Sequence, residues 1–226
     1  MRVLIVSATP LEVAPIVAQL GHASGRSPRV NAYSRAGHDV DVLITGVGMV
    51  ADAAWCSRTL ALTPYDLALN LGVCGSFDRA LEPGRVVHVV ADRIAELGAE
   101  DDDAFLTIQE LNLLGEDEFP FQGGRLVNAA PPANAALSCL PAVNGITVNA
   151  IHGNEQSIAA VVRRFAPQVE SMEGAAFMYA CLIHGLAFAQ VRAVSNAVER
   201  RNRDAWHMAD AISNLRVAAL NILDGL

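Results

Sequence analysis

Four polar side chains, Glu12, Glu173, Arg192 and Asn196, lie beside apolar segments that a folded chain would bury. Glu12 follows the apolar run of residues 3–6 after a short turn. A carboxylate just beyond a buried strand lies where open α/β sheets bind ligands, and it could activate a water molecule. Glu12 also follows Thr9 at the spacing of a capping box, in which it would accept the backbone N–H of Thr9. Both interpretations of Glu12 stay open from the local sequence.

Glu173 stands at the start of an almost wholly apolar helix, close behind Glu170. One carboxylate in the first turn of a helix ordinarily compensates the helix dipole. A partly buried carboxylate needs hydrogen-bond donors, and a ribose diol supplies two. Glu173 is therefore a candidate sugar-binding residue.

Arg192 and Asn196 flank the end of a strongly apolar strand. An arginine in such a run needs an anion or a carbonyl group as its partner. Arg192 could equally form an ion pair, and Asn196 could be a turn residue. The charged loop of residues 199–204 follows, and its simplest interpretation is a solvated connection.

The segment from Gly46 to Ala51 matches the G-x-G-x-x-A pattern of dinucleotide-binding turns. Asp66 lies 20 residues after Gly46, but it begins a predicted strand, whereas the ribose-binding acid should end one. We therefore expect these glycines to allow a helix to pack close to the sheet, and we predict no cofactor.

Alternating apolar strands and amphipathic helices must position these residues. Strands are predicted over residues 3–6, 40–45, 66–73, 86–90, 146–151 and 186–195, and helices from Thr9, from Gly48 to Leu60 and over about 155–165, 172–184 and 204–223. This order predicts a single α/β domain over residues 1–226, with a central, mostly parallel mixed sheet flanked by helices. Residues 92–142 are the least regular part and are interpreted as an insertion, with surface loops at 100–103 and 131–132.

The composition excludes several classes of protein. Apolar residues make up 52% and charged residues 18%, which is inconsistent with a disordered chain. The formal charge of −8 argues against binding to a nucleic acid duplex. The four cysteines include no C-x-x-C pair and the histidines no H-x-x-x-H spacing, so we predict no metal and free thiols in a reducing compartment.

Neither apolar stretch of the chain predicts a membrane segment. The first is five residues long and leads to Glu12 rather than to a cleavage site, so we do not expect it to act as a signal peptide. The second, residues 174–191, is broken at His184-Gly185, which predicts a helix followed by a strand. We expect a cytoplasmic protein.

Taken together, these segments resemble the nucleoside phosphorylase and nucleosidase superfamily. The resemblance rests on Glu12 after the first strand and on the ordered strings TGVG, NLGVCGS, VESMEGAA and VRAVSN, and it covers most of the chain. Within the superfamily, SATPLEVAP, IHGNEQSI, VESMEGAAF and SNAVERRNRDAW are most similar to the futalosine hydrolase family. A nucleoside phosphorylase-like fold is implied.

The resemblance implies that water cleaves a purine–ribose bond: futalosine would give hypoxanthine and dehypoxanthine futalosine, in menaquinone biosynthesis. It assigns a role to each matching residue. Glu12 would activate the water, with Arg192 near it; Met172 and Glu173 would bind the ribose; Ser195 and Asn196 would bind the base; and Cys74 and Gly75 would line the base and sugar. The implied partners are a small nucleoside and water, in a homodimer or larger homo-oligomer whose neighbouring subunit closes the 5′ pocket.

Two positions depart from the pattern of the methylthioadenosine nucleosidases. Val73 stands where a serine near the water is usual, and Asn196 stands where an aspartate serves N7 of adenine. An asparagine cannot act as a general acid, but its NH₂ can donate to a 6-oxo group and its carbonyl can accept from a protonated N7. Asn196 therefore favours hypoxanthine over adenine.

Arginines follow the base-binding segment directly. Arg201 and Arg203 lie in the string RNRDAW, and we expect one of them to bind the carboxylate at the 5′ end of futalosine. A surface loop or an intersubunit ion pair are the other interpretations. The competing functions are methylthioadenosine/S-adenosylhomocysteine hydrolysis, a purine nucleoside phosphorylase and a non-catalytic purine-binding protein. A phosphorylase would need an arginine just after the first strand, where this chain has Glu12, whose charge would repel phosphate.

Overall fold

The short apolar runs form strands that are buried on both faces. In a computed structural model that describes residues 1–21, 24–27, 29–102 and 104–226, residues 3–6 are fully buried. Val3 and Ile5 pack on one side of the sheet, whereas Leu4 and Val6 pack on the other. Successive strand residues point to opposite faces, so a strand covered on both sides is continuously apolar.

The strands in these ranges are β1 (Arg2–Ser7), β2 (Ser24–Ser27), β3 (Val30–Arg35), β4 (His38–Ile44), β5 (Leu67–Ser76), β6 (Val86–Ile94), β7 (Gly98–Asp101), β8 (Ala104–Thr107), β9 (Phe121–Gln122), β10 (Arg125–Val127), β11 (Ala142–Thr147), β12 (Val169–Ser171) and β13 (Phe188–Ala197). The helices are α1 (Pro10–Val17), α2 (Met49–Leu62), α3 (Ala135–Ser138), α4 (Glu155–Phe165), α5 (Gly174–His184) and α6 (Met208–Asp224), with a 3₁₀ turn at Arg203–Ala205. None of the helices within the described ranges is long and apolar enough to cross a membrane.

The sheet is mixed, as predicted, and part of it closes on itself. Strands β4, β1, β5 and β13 are parallel neighbours, and so are β6, β11 and β12. Antiparallel pairing of β13 with β6 and of β12 with β5 joins these two groups. The five strands β5, β13, β6, β11 and β12 therefore form a closed ring.

Helices cover both faces of the sheet. Helices α1 and α6 pack with the β1, β5 and β13 side chains of one face, and α2 and α5 pack on the other. This confirms the predicted α/β class. The site described below lies at the carboxyl ends of β1, β5 and β13, next to the start of α1 and α5.

Several predicted boundaries shift. Helix α4 has the predicted bounds, but α6 begins at Met208, after a separate 3₁₀ turn, rather than at about 204. Strand β11 covers residues 142–147 instead of 146–151. The backbone N–H groups of Asn149 and Ala150 donate to the Glu96 carboxylate and are therefore not available to the sheet.

The irregular stretch 92–142 contains more structure than expected. Strands β7 and β8 form a hairpin, and β9 and β10 extend the sheet from β6. The predicted acidic surface loop is in part strand β7, although its side chains are exposed, and Asp103 lies outside the described residues. Residues 131–132 lie in a loop, as predicted.

Candidate active site

A cavity of about 300 Å³ lies at this edge of the sheet. It brings together seven residues that the sequence singled out: Glu12, Cys74, Gly75, Met172, Glu173, Ser195 and Asn196. Its apolar lining comes mainly from Leu11, Val47, Val73, Ile151 and Met208, so the polar groups converge on an otherwise apolar space. This combination is typical of a small-molecule site.

Glu12 caps the first helix and also faces the cavity. Its Oε2 accepts hydrogen bonds from the Thr9 backbone N–H at 3.0 Å, the Thr9 hydroxyl at 2.8 Å and the Ser7 hydroxyl at 3.3 Å. Its Oε1 accepts the backbone N–H of Val73 at 3.1 Å. The two interpretations of Glu12 are therefore compatible, because the capping contacts fix the orientation of a carboxylate that is 8% exposed to the cavity.

Arg192 lies behind the carboxylates rather than in the cavity lining. It is 1% exposed, its Nη2 donates to Oδ1 of Asn70, and its Nη1 lies 3.9 Å from Oε2 of Glu173. The carbonyl partner that a buried arginine requires is thus an amide on the neighbouring strand, β5. Gly72 makes this possible, because a Cβ there would collide with Arg192 and would lie 2.8 Å from Oε1 of Glu12. Sequence reasoning missed Asn70 and Gly72, whose signal was a polar residue and a glycine inside a buried strand.

Glu173 is buried at the start of α5 and accepts the backbone N–H of Gly48 at 3.0 Å. Burial raises the pKa of its carboxyl group, and the Glu12 charge adds to this, whereas Arg192 and the Gly48 N–H lower the pKa. The turn from Gly46 to Gly48, which leads into α2, therefore donates a backbone N–H to the Glu173 carboxylate. This contact gives the dinucleotide-like pattern a role that needs no bound cofactor.

Asn196 ends in the cavity with a defined amide orientation. Its Nδ2 donates to the carbonyl of Ala197 at 2.9 Å, and its Oδ1 accepts from the Ser195 hydroxyl at 2.8 Å. The amide NH₂ can donate two hydrogen bonds and the amide oxygen can accept two, so one N–H and one oxygen lone pair remain for a ligand. The predicted serine–asparagine pair is assembled.

Arg201 and Arg203, one of which was predicted to bind a carboxylate, both lie outside this cavity. Arg201 lines an adjoining cavity of about 270 Å³, with its guanidinium 5.8 Å from the Trp206 ring centre. The two cavities share Gly75, Ile151, Glu170, Asn196 and Trp206. Arg203 is exposed in the 3₁₀ turn and is not among the described residues that line either cavity.

The family model for the phosphorylase superfamily matches residues 2–224. The chain belongs to the phosphorylase superfamily. A futalosine hydrolase of Streptomyces coelicolor is 34% identical over 77% of this chain and 74% of its own length, and one of Acidothermus cellulolyticus is 31% identical over 95% and 87%. A 5′-methylthioadenosine/S-adenosylhomocysteine nucleosidase of a Shewanella species is 28% identical over 87% and 86%.

A solved structure shows the same fold. The 5′-methylthioadenosine/S-adenosylhomocysteine nucleosidase of Neisseria meningitidis, in complex with methylthio-immucillin-A, superposes with a TM-score of 0.82 over all of this chain and 99% of its own, at 16% identity. The named sequence relatives are hydrolases, which confirms the predicted family and enzyme class.

Proposed function

We propose that residues 1–226 form one nucleosidase domain that hydrolyses futalosine, releasing hypoxanthine and dehypoxanthine futalosine. The observation that carries this proposal is the convergence of Glu12, Glu173 and Asn196 on one cavity. These residues match a water-activating base, a sugar ligand and a base ligand, and the futalosine hydrolase relatives support the choice of substrate. The place of the reaction in menaquinone biosynthesis and a cytoplasmic location are part of the same proposal.

In the proposed reaction the bond between C1′ and N9 breaks, and a bond between C1′ and the water oxygen forms. Glu12 accepts one proton of the water, and the departing base takes up a proton from solvent. Glu173 holds the ribose hydroxyls and adds negative charge near the oxocarbenium-like sugar. Arg192 lies 3.9 Å from Glu173 and offsets part of the charge of the two buried carboxylates.

The charge of the cavity favours water over phosphate as the attacking group. The described residues that line it include Glu12, Glu170 and Glu173 but neither lysine nor arginine. Negatively charged carboxylates in the cavity wall would repel a phosphate dianion bound there. Since Arg192 is directed to Asn70 and Glu173, it is not placed to bind phosphate.

Methylthioadenosine hydrolysis is the second candidate, because a nucleosidase with that name is 28% identical to this chain. The side chain at position 196 distinguishes the two functions. Asn196 keeps one N–H free for a 6-oxo group, whereas a carboxylate there would only accept. A 6-oxopurine is therefore the better fit.

Release of free base from futalosine, inosine and methylthioadenosine, each with and without phosphate, tests the proposal. We expect hypoxanthine from futalosine at a rate that phosphate does not change. Faster release of adenine from methylthioadenosine would support the second candidate, and a requirement for phosphate would indicate a phosphorylase.

We also propose that Arg201 or Arg203 binds the carboxylate at the 5′ end of futalosine. Arg201 lines the adjoining cavity, which shares Asn196 and Trp206 with the site, so it lies within reach of an extended substrate. If Arg201 or Arg203 binds it, alanine at that position should lower kcat/KM for futalosine about 10- to 150-fold and leave inosine nearly unchanged. Equal losses on both substrates would indicate a structural loop.

A homodimer or larger assembly is also proposed. Leu11 and Val47 line the cavity, yet they are 64% and 55% exposed, and the adjacent Val50 is 82% exposed. Apolar side chains at a cavity mouth favour a covering partner. A neighbouring subunit that closes the 5′ end would bury them, and light scattering measures the mass of the assembly.

A further inference from the structure

One row of backbone crosses three neighbouring strands beneath the cavity. Gly75 of β5 pairs with Asn196 of β13 on one side and with Glu170 of β12 on the other. Since neighbouring strands lie about 4.8 Å apart, the Cα atoms of Asn196 and Glu170 are about 10 Å apart. The glycine lies between them.

The side chains of Asn196 and Glu170 lie on the same face of this row. A Cβ at Gly75 would lie 2.9 Å from Cγ2 of Val198, 3.5 Å from Nδ2 of Asn196 and 3.6 Å from Cγ of Glu170. Both residues also line the cavity. Val198 packs directly against Gly75, so position 75 has no room for a side chain, and the amide of Asn196 and the carboxylate of Glu170 reach the cavity on either side of the glycine.

Among the residues that the structure describes, His152 supplies both hydrogen-bond contacts of the Glu170 carboxylate. The backbone N–H of His152 donates to Oε1 at 3.1 Å, and its ring Nδ1 lies 2.6 Å from Oε2. Glu170 is 4% exposed. A carboxylate has about four acceptor positions, of which these contacts use two, so Glu170 can accept a further donor from the cavity.

A 6-oxopurine presents the matching pattern. Its O6 and N7 accept hydrogen bonds on one edge, and its N1–H is a donor next to O6. A 6-aminopurine has the opposite pattern, with a donor at the 6-position and a lone pair at N1. A purine in the cavity between these two side chains that turns O6 and N7 toward Asn196 would turn N1 toward Glu170.

We propose that Glu170, oriented by His152, accepts the N1–H of the base and thereby selects 6-oxopurines over 6-aminopurines. This inference rests on the proposed function, because it places the base of the nucleoside in the cavity between Asn196 and Glu170. Glu170 is a specificity-determining residue, and His152 is its positioning residue. The N1 lone pair of adenine would face a carboxylate, which is repulsive as well as unpaired.

Glu170→Gln tests the assignment with little change of shape. The His152 backbone N–H retains the amide oxygen, so the NH₂ faces the His152 ring and directs its second N–H into the cavity. Dissociation constants of hypoxanthine and adenine are measured by calorimetry for both proteins. We expect hypoxanthine to bind about 10- to 150-fold more weakly to the variant, the range for a bond to a charged group, and adenine to lose nothing. An unchanged ratio of the two constants would overturn the proposal.

Glu155→Gln is the matched control. Glu155 is exposed at the first turn of α4 and lines neither cavity. Its replacement by glutamine removes the same charge as Glu170→Gln does. It should leave both dissociation constants unchanged. His152→Phe removes the ring contact to Glu170 and should lower the preference for hypoxanthine in the same direction; equal weakening of both bases would instead indicate a purely structural histidine.

A ligand change keeps the test decisive if the Glu170 variant does not fold. 1-Methylhypoxanthine retains O6 and N7 but lacks the N1–H, so the unaltered protein should bind it at least tenfold more weakly than hypoxanthine. Equal affinity would reject the role of Glu170. Base binding requires no bond cleavage: loss of selectivity in Glu170→Gln without any futalosine turnover would reject the proposed function alone, and futalosine turnover with an unchanged ratio would reject only this inference.

Discussion

Replacing Glu12 by glutamine separates its capping role from its proposed role as the base that activates water. Three donors converge on Oε2 and one on Oε1. In either orientation the new NH₂ group faces at least one backbone N–H, from Thr9 or Val73. An unsatisfied buried donor costs about 1–3 kcal/mol. For a chain of this size, that cost lowers Tm by about 2–12 °C.

The effect on turnover should be far larger than the effect on stability. A positioned general base contributes about 10²–10⁴-fold, so kcat for futalosine should fall by that factor while the nucleoside still binds. Single-turnover release of hypoxanthine measures the chemical step, and calorimetry measures binding.

Asn154→Ala provides a control of matched stability. The Asn154 side chain caps α4 by accepting from the N–H groups of Gln156 and Ser157, and it lines neither cavity. Its loss should cost about 0.5–2 kcal/mol of stability and leave kcat unchanged. If Glu12→Gln behaved in the same way, with a lower Tm and a near-normal kcat, capping would be the whole role of Glu12.

Three further substitutions test two other residues of the site and a buried carboxyl group in α2. Glu173→Gln should lower kcat/KM more for a ribonucleoside than for its 2′-deoxy analogue, which should already be poor; equal losses would remove Glu173 from the sugar site. Asn196→Asp should shift the ratio of kcat/KM from inosine toward adenosine, and an unchanged ratio would show that Asn196 does not read the base. Asp52 is buried in α2, and burial raises its pKa to about 7 from 3.8, so the folded state holds a proton that the unfolded state has lost between these values. The stability that this bound proton contributes to the folded state is therefore lost as the pH rises from about 4 to about 7. Asp52→Asn should raise Tm at pH 8 relative to the unaltered protein but should not raise it at pH 4. An equal shift of Tm at both pH values would contradict this.

Local patterns of apolar residues were sufficient to predict the strands that are buried on both faces. Residues 3–6 are continuously apolar because helices cover both sides of β1, and the turn that follows places Glu12 at the sheet edge. Strand β3 was missed, although its alternating buried and exposed residues carry the period of two that is typical of a half-covered strand. Strand β11 was misplaced because the distant Glu96 takes the N–H groups that would have continued it.

Contacts between distant segments explain what the sequence could not supply at the site. Asn70 and Gly72 look like interruptions of an apolar strand until Arg192 is placed beside them. The closed ring depends on β12, three residues long, pairing with the end of β5. That pairing sets Glu170 beside Gly75, which no spacing along the chain indicates.

The most direct test of futalosine hydrolysis is the fate of the water oxygen. Futalosine is turned over in ¹⁸O-labelled water with phosphate present, and the sugar product is analysed by mass spectrometry. We expect one labelled oxygen in dehypoxanthine futalosine for each hypoxanthine released. A phosphorylated sugar product, or no release of hypoxanthine at all, would contradict the account.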